Sequence, residues 1–188
     1  MTSFRRSSVV ALGASMFLVA CGGSESSDNE STASSISATA VQPDPTGAAM
    51  WAYIQEVAYR SNWQLWPDKG ELYTGQEPHG MLLTTYVNDA ALGAVTTKPG
   101  SMPDGAIIIK ENYMPDSTLA AVTVMYKRSG YNAEHNDWFF TKHLPSGELD
   151  QAPNGMPLEG RLPGCQACHL AVRANDYIFT SPLSGGGR

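Results

Sequence analysis

Two cysteines and a histidine near the C-terminus have the residue types and spacing for covalent attachment of a cofactor. They are Cys165, Cys168 and His169, in the string Cys-Gln-Ala-Cys-His. Two thiols at this spacing can add across two vinyl groups of a porphyrin, and the imidazole that follows can then bind the central metal. This pattern is the attachment signature of c-type haem. We therefore predict that Cys165 and Cys168 hold haem c and that His169 is the axial ligand of its iron.

Two other kinds of site also use paired cysteines. A thioredoxin-like dithiol starts a helix after a strand in a βαβ unit, whereas Pro163 and Gly164 precede this motif in a strand-rich chain. A zinc site needs two further ligands. The sequence contains no second Cys-x-x-Cys, and the spacing of His135 and His143 to Cys165 follows no familiar pattern. Haem attachment is therefore favoured over both alternatives.

The position of the motif bears on the sixth coordination position of the iron. The chain of 188 residues ends 19 residues after His169, and none of those residues is Met. A sixth protein ligand would therefore come from upstream, where the methionine candidates are Met81, Met102, Met114, Met125 and Met156. We expect an open position instead, which indicates ligand chemistry and not electron transfer alone.

The N-terminus has the pattern of an export signal. Arg5 and Arg6 precede an apolar stretch that is too short to span a membrane. The stretch ends in Leu-Val-Ala-Cys and is followed by Gly22, which resembles a bacterial lipobox; an ordinary signal peptide with a chance cysteine is the alternative. We predict a signal peptide over residues 1–20, lipidation of Cys21, and a lipoprotein of the bacterial envelope, held in the outer membrane and facing the periplasm.

Composition divides the remainder of the chain into a tether and one domain. Residues 22–47 are rich in Ser and small residues, so 21–47 are expected to be a lipidated cysteine followed by a disordered tether. Residues 48–188 then form the folded domain. The formal net charge of −6 argues against a nucleic-acid partner, which requires a basic surface.

Hydrophobic periodicity within the domain predicts an α+β fold that is mainly β. Apolar spacing indicates an amphipathic helix over residues 48–60, with Thr46 as its N-cap, and a short helix is expected over 89–97. Runs of β-forming residues separated by turn residues predict an antiparallel sheet of about five strands, with the haem site C-terminal to it. The predicted strands are 71–74, 81–87, 106–113, 119–128 and 137–143.

Several of these segments together resemble the cytochrome P-460 family over about residues 51–180. The resemblance is carried by WQLWP (63–67), PHG (78–80) leading into TTYVND (84–89), PDGAIIIKENY (103–113), LAAVTVMYKRSGYN (119–132), NDWFFTKH (136–143), GCQACH (164–169) and NDYIFT (175–180). Members of the family are β-rich and usually dimeric.

The resemblance implies an activity and further site residues. Lys110 matches the family's strand lysine, which is bonded covalently to a meso carbon of the haem. The implied reaction is oxidation of hydroxylamine toward nitric oxide and nitrous oxide, with a periplasmic cytochrome as electron partner. The candidates for proton removal on the distal side are Glu159, as a carboxylate, and His79, as a base.

Two other functions remain open. Relatives called cytochromes c-prime-beta keep the fold without the lysine bond and bind nitric oxide or carbon monoxide over an apolar face, which Leu83 and the phenylalanines would suit. An electron carrier with two strong axial ligands is the third.

Overall fold

The computed structural model describes residues 41–185. The helices are α1 (Gly47–Glu56), α2 (Tyr59–Asn62), α3 (Asp89–Thr97) and α4 (Pro163–His169), with 3-10 helices at Ala133–His135 and Leu170–Asn175. The strands are β1 (Gln64–Leu65), β2 (Tyr73–Thr74), β3 (Leu82–Val87), β4 (Ile107–Tyr113), β5 (Leu119–Lys127), β6 (Trp138–His143) and β7 (Glu159–Gly160).

All seven strands form one antiparallel sheet. Its order is β1-β3-β4-β5-β6-β7, and β2 pairs with β3 beside β1. The α+β, mainly β fold is therefore confirmed. The five expected strands are present, and β1 and β7 are additional strands of two residues each.

The N-terminal helix is shorter than its apolar spacing predicts. Thr46 caps α1 as expected, because its hydroxyl accepts a hydrogen bond from the Ala49 N–H at 3.2 Å. The helix ends at Glu56, and Ala58 then adopts a left-handed conformation with φ of 47° before α2 begins. The predicted single helix over 48–60 is thus two helices with a break. The helix predicted over 89–97 is α3, with Asn88 as its N-cap.

Strand register arranges one face of the sheet in transverse rows. An apolar row runs through Val87, Ile108, Met125 and Phe140, which are paired in succession across four strands. Two residues along each strand, on the same face, a polar row runs through Thr85, Lys110, Thr123 and Lys142. We call the face that carries both rows the site face.

Separate apolar cores cover the two faces. Residues of α3 and the C-terminal segment, including Tyr177, join the apolar row on the site face. Met50 and Ile54 of α1 pack with Ile107, Ile109 and other residues on the opposite face, which we call the α1 face.

The folded part begins before the expected domain boundary. Within the segment that the composition assigns to the tether, Pro43 is buried, and its carbonyl and the Gln42 side chain accept hydrogen bonds from the Tyr126 hydroxyl. The predicted signal peptide, the lipidation of Cys21 and most of the predicted tether lie outside the described residues. Among residues 41–185, no helix is long and apolar enough to cross a membrane.

Candidate functional site

Helix α4 presents the cysteine and histidine motif on one side. Cys165, Cys168 and His169 are related by three and four residues, and such positions are neighbours on a helix surface. Pro163 lies in the first turn of the helix, where its missing N–H costs no hydrogen bond. Cys165 is half-buried, Cys168 is exposed and His169 is buried. The motif therefore runs from the surface of the domain into its interior.

One backbone carbonyl fixes the tautomer of His169. Its Nδ1 lies 2.7 Å from the Tyr177 carbonyl oxygen, which can only accept, so Nδ1 donates and Nε2 carries the lone pair. In metal-binding histidines, the ring nitrogen that does not bind the metal usually donates a hydrogen bond of this kind. Burial is the main cause of a lowered His169 pKa, and Lys110 adds to it. The lone pair of Nε2 is consequently available at neutral pH.

The carbonyl that holds His169 belongs to a rigid turn. Asp176 and Tyr177 both have positive φ, at 49° and 67°. The buried Asp176 carboxylate accepts hydrogen bonds from Lys127 Nζ at 2.8 and 2.9 Å and from the Met102 N–H at 2.7 Å. Asn136 Nδ2 donates to the same carboxylate at 2.9 Å. Every polar partner of this carboxylate is a donor, so its charge holds the turn in place.

Three rings surround the imidazole of His169. The ring centres of Phe179, Phe140 and His79 lie 5.3, 5.7 and 6.2 Å from its own. Phe140 belongs to the apolar row, whereas the adjacent Phe139 packs against Tyr131 on the α1 face. The two phenylalanines thus point to opposite faces, as strand alternation requires.

Lys110 lies on the same face, in the polar row. Its side chain is largely buried, and burial lowers its pKa to about 8. Among the described residues, no carboxylate lies within 4.0 Å of its Nζ, whereas Lys142 in the same row pairs with Asp150 at 2.8 Å. Within residues 41–185 Lys110 is therefore an amine without a carboxylate partner, and its pKa of about 8 leaves a minority of neutral amine at pH 7.

His79 is the other predicted residue that the structure brings to His169. Burial is the largest cause that lowers its pKa, to about 3, and Lys110 and His169 lower it further. The imidazole is consequently neutral at physiological pH and offers one donor and one acceptor nitrogen.

The structure does not bring Glu159 to this site. In β7 it pairs with Thr141, whose side chain points to the α1 face. Its Oε2 accepts a hydrogen bond from the N–H of Gly47 at 2.5 Å, at the start of α1. A carboxylate in this position stabilises the N-terminus of a helix, and it lies on the opposite side of the sheet from Lys110.

The geometry of the cysteines bears on the two alternative sites. Burial raises the pKa of the Cys165 thiol, whereas a dithiol nucleophile has a lowered thiol pKa. His143 lies on the α1 face, where its ring nitrogens form hydrogen bonds with the Thr141 hydroxyl and the Gly147 carbonyl. Across residues 41–185, no group of three His, Cys, Asp or Glu side chains is arranged to hold a metal ion.

Three site residues were not predicted from the sequence. Tyr177 acts through its carbonyl, so its side-chain type gave no signal. Asn112 and Lys142 lie on the site face, and both follow from strand alternation: Asn112 is two residues after Lys110, and Lys142 is two after Phe140. Period-two counting from Lys110 and Phe140 would therefore have found them.

The residues present fit a covalently attached haem. The motif offers two free thiols and an imidazole whose Nε2 is unshared. Beside them, the large apolar side chains of Phe179 and Leu170 are 58% and 43% exposed, so they offer apolar surface for a flat ring to cover. The site face also carries a buried amide oxygen without a partner, on Asn112.

Comparison with known proteins agrees with this chemistry. A search of curated proteins finds no match to the chain. The family model described as Cytochrome P460 matches residues 58–180. This range contains all seven strands, Lys110, and the motif of Cys165, Cys168 and His169. The protein is therefore a c-type haem protein that belongs to the cytochrome P460 family.

Proposed function

We propose that this protein oxidises a small nitrogen compound, hydroxylamine, at a haem iron bound by His169. The observation that carries the proposal is Lys110, a largely buried amine on the same sheet face as Phe140, with no carboxylate partner in the part of the chain that the structure describes. Family membership supports a haem-dependent oxidoreductase in general. Hydroxylamine is inferred as the substrate because Lys110 matches the strand lysine of the family.

Each site residue has a role that its surroundings support. Cys165 and Cys168 would hold the haem, and His169 would bind its iron through Nε2. In the holoprotein these residues would hold a redox-active iron, which would supply a binding position for the nitrogen of the substrate. Conversion of one hydroxylamine to nitric oxide releases three electrons and three protons. The electrons would pass to a periplasmic cytochrome, and the neutral imidazole of His79 would relay a proton without retaining it, because burial keeps its pKa low.

Lys110 would join the haem covalently through its Nζ. A C–N bond to a ring carbon replaces one N–H and one C–H, and it releases two protons and two electrons to an oxidant such as a peroxide. The reaction requires the neutral amine, and burial lowers the pKa of Lys110 toward the range where that form is populated.

The absorption spectrum of the dithionite-reduced holoprotein tests this proposal. A Soret band far to the red of ordinary c-type haem is expected, because the ring substituent alters the π system. Lys110→Met should return the band to the ordinary position, and Lys142→Met in the same row should leave it shifted. An ordinary band in the unmodified protein, or no oxidation of hydroxylamine by a protein with the shifted band, would contradict the proposal.

The proposed cellular location rests on the N-terminal sequence. Export places the chain where thioether attachment of haem occurs, and lipidation at Cys21 would hold it at the outer membrane, facing the periplasm. Metabolic labelling with a fatty acid tests this: Cys21→Ser should abolish incorporation, and Cys168→Ser should not.

Binding of nitric oxide or carbon monoxide is the second candidate function. The observation that favours it is the apolar row, together with Leu83, which is buried on the same face beside Asn112. An ordinary five-coordinate ferrous spectrum, with tight gas binding and no hydroxylamine oxidation, is the result expected of this alternative.

A further inference from the structure

The turn that carries the Tyr177 carbonyl has a backbone conformation that neither of its residues favours. Asp176 and Tyr177 are consecutive, and their φ angles of 49° and 67° lie in the left-handed region, which disfavours residues with a Cβ. Both residues are buried. Backbone of this kind persists only where the surrounding contacts over-determine it, and such strain is concentrated at functional sites.

Donors from three segments of the chain converge on Asp176. Its carboxylate accepts hydrogen bonds from the Met102 N–H at 2.7 Å, from Asn136 Nδ2 at 2.9 Å and from Lys127 Nζ at 2.8 and 2.9 Å. Its backbone carbonyl accepts one from Trp138 Nε1 at 3.0 Å. Lys127 Nζ also lies 5.0 Å from the centre of the Trp138 ring, which attracts a cation. These contacts hold the strained turn.

The turn presents one backbone group to the haem-attachment motif. The Tyr177 carbonyl oxygen lies 2.7 Å from His169 Nδ1, at the short end of the range for an N–H···O hydrogen bond. The other end of the same residue is also held, because the Tyr177 hydroxyl lies 3.0 Å from His135 Nδ1. A fixed acceptor on one imidazole nitrogen makes the other nitrogen a stronger donor to a metal.

A buried ion pair adjoins this hydrogen bond. The side chains of Lys127 and Asp176 are 13% and 2% exposed, so water screens their charges weakly. The two charges balance each other, and removal of either partner leaves the other as an unpaired charge in the interior. The pair can therefore act on His169 with either sign, depending on which partner is present.

We propose that Asp176 and Lys127 are positioning residues that set the reduction potential of the haem iron through His169. The Asp176 carboxylate fixes the Tyr177 carbonyl on Nδ1, which makes His169 a stronger donor and stabilises ferric iron. The Lys127 ammonium opposes the charge of that carboxylate and limits the effect. The inference rests on the proposed ligation of the iron by His169, and it applies to hydroxylamine oxidation and to gas binding alike.

Two substitutions with opposite effects on charge test this inference. Asp176→Asn removes the negative charge and Lys127→Gln removes the positive one, and each leaves an amide that can form hydrogen bonds. Spectroelectrochemical titration of the holoprotein measures the reduction potential, and resonance Raman spectroscopy of the ferrous form measures the iron–histidine stretching frequency. The matched controls are Asp150→Asn and Lys142→Gln in the less buried pair. Haem content and thermal unfolding report whether each variant is folded.

We expect Asp176→Asn to raise the reduction potential and Lys127→Gln to lower it. Each should change the ratio of ferric to ferrous protein at a fixed potential by about three- to tenfold, which is the range for one hydrogen bond. The stretching frequency should fall in Asp176→Asn and rise in Lys127→Gln, and it should be unchanged in both controls. If both variants raise the potential, the pair only holds the turn and the inference is wrong. A shifted potential with an unchanged stretching frequency would overturn the route through His169.

One variant is sufficient to decide if the other does not fold. In Lys127→Gln the carboxylate remains, so a potential that rises or stays constant overturns the inference. The outcomes also separate it from the proposed function. If the potentials shift as expected and the unmodified protein does not oxidise hydroxylamine, the inference stands and the function fails. If the unmodified protein oxidises hydroxylamine and both variants have its potential, the function stands and the inference fails.

Discussion

The ionisation of Lys110 makes a single residue responsible for part of the pH dependence of stability. Burial lowers its pKa from 10.5 to about 8 in the folded state. Its neighbours on the site face are His79 and His169, whose pKa values are themselves lowered, and Lys142, which is paired with Asp150. Between pH 8 and 10.5 the unfolded chain binds more protons than the folded one. Stability therefore increases with pH across that interval.

The first prediction concerns this pH dependence. In the haem-free double variant Cys165→Ser, Cys168→Ser, the free energy of unfolding should rise by about 1.5 kcal/mol between pH 8 and 9.5 from this group alone. Adding Lys110→Met should remove the rise, and adding Lys142→Met should not. Urea unfolding at several pH values measures the difference. A rise of the same size in the Lys110→Met variant would contradict the assignment.

At the level of secondary-structure elements, the turn after the last 3-10 helix depends on one buried carboxylate. Asp176 is 2% exposed, and its partners are all donors, so an amide nitrogen in its place would face donors only. Asp176→Asn should lower the free energy of unfolding by about 3 kcal/mol, because the Lys127 ammonium loses its counter-charge. The matched control is Asp150→Asn in the less buried Lys142–Asp150 pair, whose side chains are 35% and 25% exposed, and it should cost at most about 1 kcal/mol.

A small difference between these two variants would contradict the role given to the turn. Both pairs have an Nζ to Oδ contact of 2.8 Å, so distance alone predicts equal losses. Burial is what distinguishes them. Urea unfolding of both variants, with the haem attached, measures the effect.

The break between α1 and α2 gives a second prediction at this scale. Ala58 is exposed and has φ of 47°, a conformation that costs an alanine more than a glycine. Ala58→Gly should therefore raise the free energy of unfolding by about 0.5–1 kcal/mol. Ala52→Gly, at an exposed position within α1, should lower it by about 1 kcal/mol. Thermal unfolding measures both, and equal signs would contradict the account.

The elements also show where local sequence patterns stop being informative. The strands β3 to β6 were predictable because each has enough β-forming residues between turns. Strands β1 and β7 contain two residues each, and they exist because a neighbouring strand offers free backbone groups. The spacing of Met50, Ile54 and Val57 continues past the end of α1. The left-handed Ala58 that ends the helix leaves no mark in that spacing.

For the whole molecule, the separation of the two apolar cores predicts how the protein behaves without its cofactor. The core on the α1 face is formed by α1 and the sheet, and it includes none of residues 159–185. The double variant Cys165→Ser, Cys168→Ser should therefore retain sheet content and unfold cooperatively, at a lower temperature than the holoprotein. Circular dichroism measures both properties. A broad, non-cooperative transition would show instead that the haem is required for the fold.

At the same scale, the sequence predicted the site in part. The motif of Cys165, Cys168 and His169 is local, so its chemistry could be inferred from spacing. The arrangement of Lys110 and His79 near His169 depends on strand register and on the segment before β3. Glu159 was suggested by its closeness to the motif in the chain, but β7 directs it to the other face, where it caps α1. Closeness along the chain therefore does not show which face of a sheet a side chain occupies.

The unpaired amine in β4 has a consequence for how this chain can evolve. Lys110 and the Asn112 oxygen are locally frustrated, since each would be better satisfied in water than where it lies. Replacing Lys110 with an apolar residue removes the cost of burying an amine, so selection for stability alone would favour that change. The persistence of this lysine in a lineage would then record selection for chemistry. A relative with Leu or Met at this position should be a more stable protein that cannot form the proposed bond to its haem.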